Sequence, residues 1–503
     1  MRHTARVSAN AYEGLKARLG EVWDVTKAAY LLSWDQQTMM PPRAGPVRAA
    51  QLGTLSKLAH ELFVDDEVGR LLDRLDGFEA ELPYESDEAS LIRLARREWE
   101  KERRVPTELR EAMARTAAEA YPIWVEARQT SDFSLFRPCL ERNVELRRRY
   151  AACFDVEEPY DALLDDFEPG MKTAEVRAVF AELKQGLVPL IAEAAAIEID
   201  DSCLRGHFPR ERQRELDTIV ERFGLTEGSW RIDPTEHPFA ASMATTDVRL
   251  TSRYPEHELM GLFATMHEYG HGLYEHQVDP ALERTPLARG TSLAIHESQS
   301  RMWENLVGRS RPFWRFFYPE VQRVFPEQFS GVELETFYRA INRVRPSLIR
   351  IEADEATYSL HIILRFELEQ EILAGTVDLA TLPEEWNARM RDYLGVEVPD
   401  DARGILQDVH WARGSLGYFP TYALGNVISV QLWERIRAAL PDLDAELERG
   451  EFASLREWLR ENVHRHGRKF TPSETLQRVV GGGIDPGPYL RYLGDKLREL
   501  AAA

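Results

Sequence analysis

Two histidines with a glutamate between them are the residues in this sequence most directly suited to chemistry. His267, Glu268 and His271 lie in a His-Glu-Tyr-Gly-His run. Residues four apart share one face of a helix, so the two imidazoles can point at one ion. Glu268 is rotated off that row, where it can reach a water on the ion without binding the ion itself. The run therefore predicts a hydrolytic zinc site with Glu268 as general base.

The segment around this run must be helical for the two imidazoles to converge. Between Glu258 and Glu275 the apolar residues follow the period of one buried helical face: Leu259, Leu262, Phe263, Met266 and Leu273. We therefore expect a helix here. Two histidines at this spacing also occur as a solvated pair or as core residues, so a third ligand is needed to decide.

A downstream carboxylate is the expected third ligand, because catalytic zinc commonly takes three protein ligands and leaves a position for water. A third histidine does not extend the run, since position 277 is Gln and His276 is out of phase. Further along, Thr291 or Ser292 can cap a new helix with Glu297 in its first turns. Glu297 is therefore predicted to complete the site.

Two neighbours of Glu297 have alternative roles. Glu304 lies on the same predicted helix and is the competing third ligand. His296 is expected to support the site or to be structural, because adjacent helix residues diverge by about 100° and rarely bind one ion together.

Seven short sequence motifs are spread along nearly the whole chain. They are Trp34-Asp35-Gln36-Gln37 followed by Met40-Pro41-Pro42, His237-Pro238-Phe239, Asp247-Val-Arg249-Leu-Thr251, the run from 267 to 271, His296-Glu297-Ser298-Gln299, Ile349-Arg350-Ile-Glu-Ala353-Asp354, and Gly404-Ile-Leu-Gln407-Asp408-Val-His410-Trp411. In this order they resemble the zinc carboxypeptidases of the thermostable carboxypeptidase Taq family.

That resemblance implies a site and a fold. It implies that His267, His271 and Glu297 bind one zinc ion and that Glu268 is the catalytic base, in agreement with the choice made from the residues. Cobalt can occupy the same nitrogen and oxygen ligands. The resemblance also implies a mostly helical fold with a deep cleft, and a homodimer.

Length and patterning favour one large helical body. The 503 residues contain no linker rich in Ser, Gly or Pro, and long amphipathic stretches dominate over brief strand-like alternation near Val248 to Tyr254. We therefore predict a mainly α-helical protein. Residues 1–503 are expected to form a single two-lobed domain with a deep active-site cleft and a few short β-strands.

Composition excludes several other classes of protein. A net charge of -21 argues against nucleic-acid binding, which needs a concentrated basic face. No apolar run approaches 18 residues, and the N-terminal segment lacks the apolar core of a signal peptide, so we expect a cytoplasmic protein without a membrane partner. Cys139, Cys153 and Cys203 are odd in number and widely spaced, which fits a reducing compartment and buried free thiols.

The distribution of cations bears on substrate binding. No lysine lies between Lys184 and Lys469. A carboxypeptidase must hold the free carboxylate of its substrate, and a bidentate guanidinium would also fix the register of the peptide. Arg350 is the predicted carboxylate ligand, with Arg249 and Arg253 as alternatives.

Arg350 also has an ordinary interpretation as a member of an ion pair. Glu352 and Asp354 follow it closely and are the candidate partners.

The stretch from Gln407 to Gly425 offers hydrogen-bond donors between glycines, as a segment closing over a cleft would. Similarity to related helical zinc peptidases suggests that His410 and Tyr422 stabilise the oxyanion that develops during hydrolysis. Tyr418 and His237 are predicted to contact substrate. Packing is the alternative role for the aromatic residues and for His237.

The sequence thus predicts a zinc-dependent metallocarboxypeptidase that removes C-terminal residues from peptides with a free C-terminus. A zinc oligopeptidase or dipeptidyl-peptidase of similar fold is the nearer alternative. A non-enzymatic metal-binding or helical interaction protein is more distant, since it would not need Glu268 beside the two histidines.

Overall fold

The computed structural model describes residues 2–259 and 261–502, with side chains from Ala9 onward. Helices account for most of these residues. The α-helices are, in chain order, α1 (Arg2–Thr38), α2 (Gly45–Val64), α3 (Asp66–Arg74), α4 (Asp87–Arg104), α5 (Thr107–Thr130), α6 (Phe133–Ala151), α7 (Pro159–Leu164), α8 (Thr173–Ala194), α9 (Arg210–Glu215), α10 (Ile219–Phe223), α11 (Gly261–His276), α12 (Leu293–Arg301), α13 (Arg311–Val324), α14 (Pro326–Phe329), α15 (Leu334–Ile341), α16 (Tyr358–Ala374), α17 (Leu382–Leu394), α18 (Pro420–Ala439), α19 (Leu443–Glu448), α20 (Ala453–Asn462), α21 (Pro472–Val479) and α22 (Gly487–Ala502).

Side-chain caps begin several of these helices. Ser86, Ser310 and Thr471 each accept a hydrogen bond from a backbone N–H in the first turn of α4, α13 and α21. Such caps satisfy donors that have no partner inside the helix. Ser292 does the same for α12 by accepting from the N–H of Ile295, so the predicted start of that helix is confirmed.

The described side chains form two hydrophobic cores of unequal size. The larger core contains most of the helices after α4 and includes Met266, Tyr269 and Leu273 of α11. The smaller core joins α1, α3 and α4 to the segment 278–288, through residues such as Leu15 and Leu282. The chain after α11 therefore contributes to both cores, and the N-terminal helices form a separate wall beside the main body.

A small sheet lies between these parts. Its strands are β1 (Trp230–Pro234), β2 (Ala240–Ala244) and β3 (Asp247–Ser252), in the order β1-β3-β2. β3 pairs in parallel with β1 and antiparallel with β2. α11 packs closely on β3, since a Cβ on Gly272 would lie 2.6 Å from Leu250 Cδ2. The sheet thereby forms one side of the region around α11.

Glycines allow α11, α12 and α18 to approach each other at the centre of the molecule. A Cβ on Gly270 of α11 would lie 2.5 Å from the carbonyl oxygen of Gln299 on α12. A Cβ on Gly425 of α18 would lie 2.6 Å from Cβ of Glu297. Neither position can accept a larger side chain without moving a helix backbone or Glu297. These contacts fix Glu297 relative to α11.

The structure confirms the predicted fold class, mainly helical with few short strands among the described residues. The helix expected from residue 258 starts at Gly261, and the strand expected near Val248 is β3. Within residues 2–259 and 261–502 no helix combines the length and apolarity needed to cross a membrane. Cys203 is buried as expected, whereas Cys139 and Cys153 are half-buried; all three are free.

Candidate metal centre and catalytic cleft

The two histidines of the run lie one turn apart on α11. Their ring centroids are 5.0 Å apart. Both rings lie on the side of the helix that faces α12, where Glu297 sits in the second turn. The amphipathic helix predicted from the sequence therefore brings the residues together as its spacing required.

Three donor atoms converge at this point. One atom each from His267, His271 and Glu297 lies within 4.8 Å of the others. Oε2 of Glu297 is 3.8 Å from Nε2 of His267 and 3.5 Å from Nε2 of His271. Two imidazole nitrogens and one carboxylate oxygen form a donor set that divalent zinc and cobalt accept. The residues present therefore fit a metal ion.

Glu304 does not compete for this position. Its Oε2 lies 2.8 Å from Nδ1 of His267, on the far side of the ring from Glu297. Arg301 contacts the same oxygen at 3.2 Å. Glu304 therefore orients His267, as a carboxylate behind a ligating histidine commonly does.

Glu297 is held as a carboxylate by its surroundings. Burial alone would raise its pKa, but the Arg301 guanidinium and the two imidazoles hold the pKa well below its usual range. Arg301 Nε donates to Oε1 at 2.8 Å. The oxygen that faces the histidines is therefore anionic and free to accept.

Glu268 is nearly enclosed and lies beside the donor cluster. It is 5% exposed, and its Oε2 has no hydrogen-bond partner among the described residues. Burial is the main cause that raises the pKa of Glu268 to about 7. The charges of Glu297 and Glu304 also raise this pKa, and His267 opposes them. A buried carboxyl oxygen needs a hydrogen-bond partner such as a water or a substrate group, and a pKa near neutrality suits a general base.

A cleft of about 540 Å³ runs over these residues. Its walls come from α1, β2, α11, α12 and the start of α18, and His267, Glu268, His271 and Glu297 all line it. The two cores thus meet across the cleft, with α1 facing the donor cluster. This arrangement matches the predicted two-lobed body with an active-site cleft.

The predicted oxyanion residues His410 and Tyr422 and the predicted substrate residue Tyr418 lie in two layers of the cleft wall. Tyr418 and Tyr422 line the cleft, with ring centroids 5.3 Å apart. His410 lies behind them, with Nε2 3.4 Å from the Tyr422 hydroxyl and Nδ1 without a described partner. Burial lowers the pKa of His410 to about 3, so the ring is neutral at physiological pH. A neutral His410 can donate or accept in support of Tyr422.

Arg350 lies one layer behind the cleft wall. Its Nη2 donates to Oδ1 of Asp408 at 2.8 Å, and its Nη1 donates to the Tyr358 hydroxyl at 2.7 Å. The guanidinium carbon is 5.0 Å from the Tyr422 ring. In the described structure its ion-pair partner is Asp408, and not Glu352 or Asp354 as the sequence suggested.

The other predicted substrate residues are farther from the cleft. His237 is exposed, although the adjacent Pro238 and Phe239 line the cleft. Arg249 pairs with Asp247 and lies over the Trp34 ring. Arg253 is exposed. None of these three side chains is among the residues that line the cleft.

Comparison with known proteins places this geometry in a family. The family model for carboxypeptidase Taq (M32) metallopeptidases matches residues 14–497. The chain is 40% identical to carboxypeptidase 1 of Bacillus subtilis over 480 residues, covering 94% of this chain and 95% of the relative. It is 39% identical to thermostable carboxypeptidase 1 of Thermus thermophilus over 504 residues, covering 97% and 99%. The chain belongs to the M32 carboxypeptidase Taq family.

Solved structures of M32 proteins agree along the whole length. The M32 carboxypeptidase of Deinococcus radiodurans superposes with a TM-score of 0.94 at 40% identity, covering 98% of this chain and 100% of that one. The Pyrococcus furiosus carboxypeptidase gives 0.93 at 36% identity, covering 97% and 99%. The resemblance stated from seven motifs is confirmed, and the protein is a metallocarboxypeptidase. Membership of the M32 metallopeptidases implies a divalent metal.

Sequence reasoning missed several residues of this M32 cleft. Lys27 lines it from α1, and its Nζ donates to the Ser242 carbonyl at 2.5 Å. Tyr358 contacts Arg350, and Glu275 reaches His296. Among these residues only the role of Arg301 could have been predicted from the sequence, since its spacing of four from Glu297 predicts an ion pair along one helix face. The Lys27–Ser242 and Glu275–His296 contacts join different elements of the chain.

Proposed function

We propose that this M32 metallocarboxypeptidase holds one zinc ion on His267, His271 and Glu297 and removes the C-terminal residue of peptides. The observation that supports this most directly is the convergence of three donors within 4.8 Å on the floor of the cleft. The buried carboxyl of Glu268 stands beside them, and its Oε2 has no hydrogen-bond partner in the described part of the chain. Zinc is preferred because this donor set with an open position is its common catalytic arrangement, and cobalt is the alternative ion.

Glu268 is proposed to move the proton during hydrolysis. When bound, the ion supplies Lewis acidity, polarising the scissile carbonyl and lowering the pKa of a water. Glu268 Oε2 takes a proton from the attacking water and delivers it to the leaving nitrogen. Burial raises its pKa, and the direction of this shift suits a group that must first gain and then release a proton.

Tyr422 is proposed to stabilise the negative oxygen that develops on the scissile carbonyl. Tyr422 lines the cleft, and its hydroxyl is backed by His410. Tyr418, on the same wall, is proposed to contact the substrate chain. Preorganised donors of this kind act mainly on the transition state.

Arg350 is proposed to attract the free carboxylate of the peptide. Arg350 and Arg365 share the single carboxylate of Asp408, so the three groups together have one net positive charge. Burial makes an uncompensated charge costly, and an anionic substrate end would neutralise it. Direct contact requires Tyr422 or Tyr358 to shift, because both rings lie against the guanidinium. His237, at the exposed rim, is proposed to contact residues farther along the peptide.

One experiment tests the metal and the exopeptidase action together. A peptide with a free C-terminus and the same peptide with an amidated C-terminus are incubated with the enzyme, with and without a chelator. The products are identified by mass spectrometry. We expect stepwise loss of single residues from the free peptide only, and none after chelation. Internal cleavage of the amidated peptide would instead support a zinc oligopeptidase.

A variant of Glu268 separates binding from chemistry in the same assay. Glu268→Gln keeps the size of the side chain but cannot take the proton. It should retain the metal and lose turnover by roughly 10² to 10⁴-fold. Retained turnover would remove Glu268 from the proposed role.

We further propose that the protein is a cytoplasmic homodimer and that residues 1–503 form one domain. Three free cysteines support a reducing compartment. For the dimer, α2 has no buried residue, and Met39, Val47 and Leu58 are 51%, 63% and 43% exposed near or on it. Exposed apolar side chains of this kind are typical of a contact surface. Light scattering of the wild type and of Val47→Asp would test whether a second copy covers this face.

A further inference from the structure

His271 is the first member of a hydrogen-bonded chain that leads away from the proposed metal. Its Nδ1 lies 2.6 Å from Nδ1 of His296. Nε2 of His296 lies 2.9 Å from Oε1 of Glu275, which also accepts the N–H of Gly290 at 3.0 Å. The chain therefore joins two histidines from different helices to one carboxylate at the cleft wall.

When both imidazoles are neutral and Glu275 is ionised, proton counting fixes the direction of each hydrogen bond between these three side chains. Ionised Glu275 only accepts, so Nε2 of His296 carries the proton and its Nδ1 is an acceptor. Nδ1 of His271 must then donate. Its Nε2 is left with a free lone pair, and that nitrogen lies 3.5 Å from Oε2 of Glu297. In the opposite arrangement His296 would donate, and a neutral His271 would carry its proton on Nε2, where a metal must bind.

We propose that His296 and Glu275 are positioning residues that hold His271 in its metal-binding tautomer. This role rests on the metal centre proposed above, and it extends that centre to two residues that do not touch the ion. Supporting groups of this kind commonly fix the orientation of a ligating imidazole.

Packing holds the middle member of the chain in place. A Cβ on Gly290 would lie 2.7 Å from Cδ2 of His296 and 2.9 Å from Cε1 of Tyr274. The Tyr274 ring packs against His296 with centroids 5.2 Å apart. The absence of a side chain at Gly290 thus makes room for the imidazole, and the same residue donates to Glu275. The loop before α12 is shaped around this chain.

The two proposed histidine ligands are supported differently. His267 reaches a carboxylate, Glu304, in one step at 2.8 Å. His271 reaches Glu275 only through His296. Loss of His296 therefore leaves the Nδ1 proton of His271 without an acceptor among these groups, while His267 keeps its partner.

Metal affinity tests the proposal without relying on peptidase activity. Zinc dissociation constants are measured by chelator competition, and the visible spectrum of the cobalt-loaded protein reports the ligand set. His296→Leu should weaken zinc binding by roughly 10 to 100-fold. His296→Gln should recover most of that loss, because its amide oxygen can accept from Nδ1 of His271. Glu275→Leu should weaken binding without altering His296 itself.

His464→Leu is the matched control. His464 is a buried histidine that also packs against Tyr274, with centroids 4.7 Å apart, and it bonds Gln277 and Gln299 instead of the donor cluster. It should leave the zinc dissociation constant unchanged. The proposal is overturned if His296→Leu and Glu275→Leu bind zinc as the wild type does, or if His464→Leu weakens binding equally. Failure of the wild type to bind zinc would instead overturn the metal centre itself.

Discussion

Arg301 donates from Nε to Oε1 of Glu297 at 2.8 Å and thereby turns the other carboxylate oxygen toward the histidine pair. Oε2 lies 3.8 Å and 3.5 Å from the Nε2 atoms of His267 and His271. Arg301 and Glu297 are one turn apart on α12 and are both largely buried. The helix that bears the proposed third ligand therefore also orients it.

Replacing Arg301 by Met should weaken metal binding. The Glu297 carboxylate would lose the partner that fixes its rotation and lowers its pKa. We expect zinc affinity to fall by roughly 10 to 100-fold, and the melting temperature to fall because a buried pair is broken. Chelator competition and thermal unfolding measure the two effects. Arg323→Met, which removes an exposed pair with Glu320, should change neither; equal zinc affinity in both variants would contradict the role of Arg301.

Tyr422→Phe should lower kcat with little change in KM. The substitution removes only the hydroxyl proposed to face the developing oxyanion, and loss of one such donor typically costs roughly 10² to 10³-fold. Steady-state kinetics on a peptide with a free C-terminus supply the measurement. Tyr418→Phe lies on the same wall and should affect KM more than kcat. An unchanged kcat in Tyr422→Phe would exclude the oxyanion role.

Arg350→Met should raise KM for peptides with a free carboxylate. A hydrogen-bonded charge pair contributes about 1.5 to 3 kcal/mol, so a change of roughly 10 to 100-fold is expected. Lys27→Met tests the other cationic side chain described above, which lines the cleft from α1. If Lys27→Met raises KM and Arg350→Met does not, the carboxylate is held at the α1 wall. Arg323→Met, which alters only exposed ion pairs, serves as the control.

Glu168 should make stability depend on pH. Its carboxyl is fully buried, Oε1 accepts the N–H of Ala294 at the start of α12, and burial raises its pKa to about 8. A carboxyl whose pKa is higher in the folded state binds its proton more tightly there. The stabilisation that Glu168 contributes is complete below 4.5, its pKa in the unfolded chain, and is lost as the pH rises through about 8.

The measurement is the stability difference between wild type and Glu168→Gln from pH 4 to pH 9. The variant cannot ionise at this position. From pH 4 to pH 9 its free energy of unfolding should therefore rise relative to that of the wild type by roughly 3 to 5 kcal/mol. Unfolding in urea at each pH supplies the values, with the exposed substitution Glu193→Gln expected to follow the wild type. A constant difference between Glu168→Gln and wild type would show that the pKa of Glu168 is the same in the folded and unfolded states.

Local patterns predicted the parts of the site that lie on single helices. The period of apolar residues around His267 predicts α11, and the cap at Ser292 predicts α12 with Glu297 in its second turn. The choice of Glu297 over Glu304 agrees with the geometry, because Glu304 lies behind the His267 ring. Helical spacing and capping are local properties, which is why one sequence suffices for them.

Contacts between distant segments could not be predicted in this way. Lys27 and Ser242 are 215 residues apart, and Arg350 and Asp408 are 58 apart. The periodicity of a helix or strand relates only residues that are close in sequence, so it cannot identify these pairs. The region without lysine covers only the centre of the chain, whereas the ammonium that reaches the cleft comes from α1. Tertiary packing selects such pairs.

The close approach of α11, α12 and α18 has a consequence for metal exchange. Gly270 and Gly425 let the helices meet at backbone distance, so helix packing sets the positions of the three donors. Small zinc domains differ, because in them the ion itself drives folding. In this larger body the packed helices carry the donors, so we expect removal of the proposed ion to leave the scaffold folded.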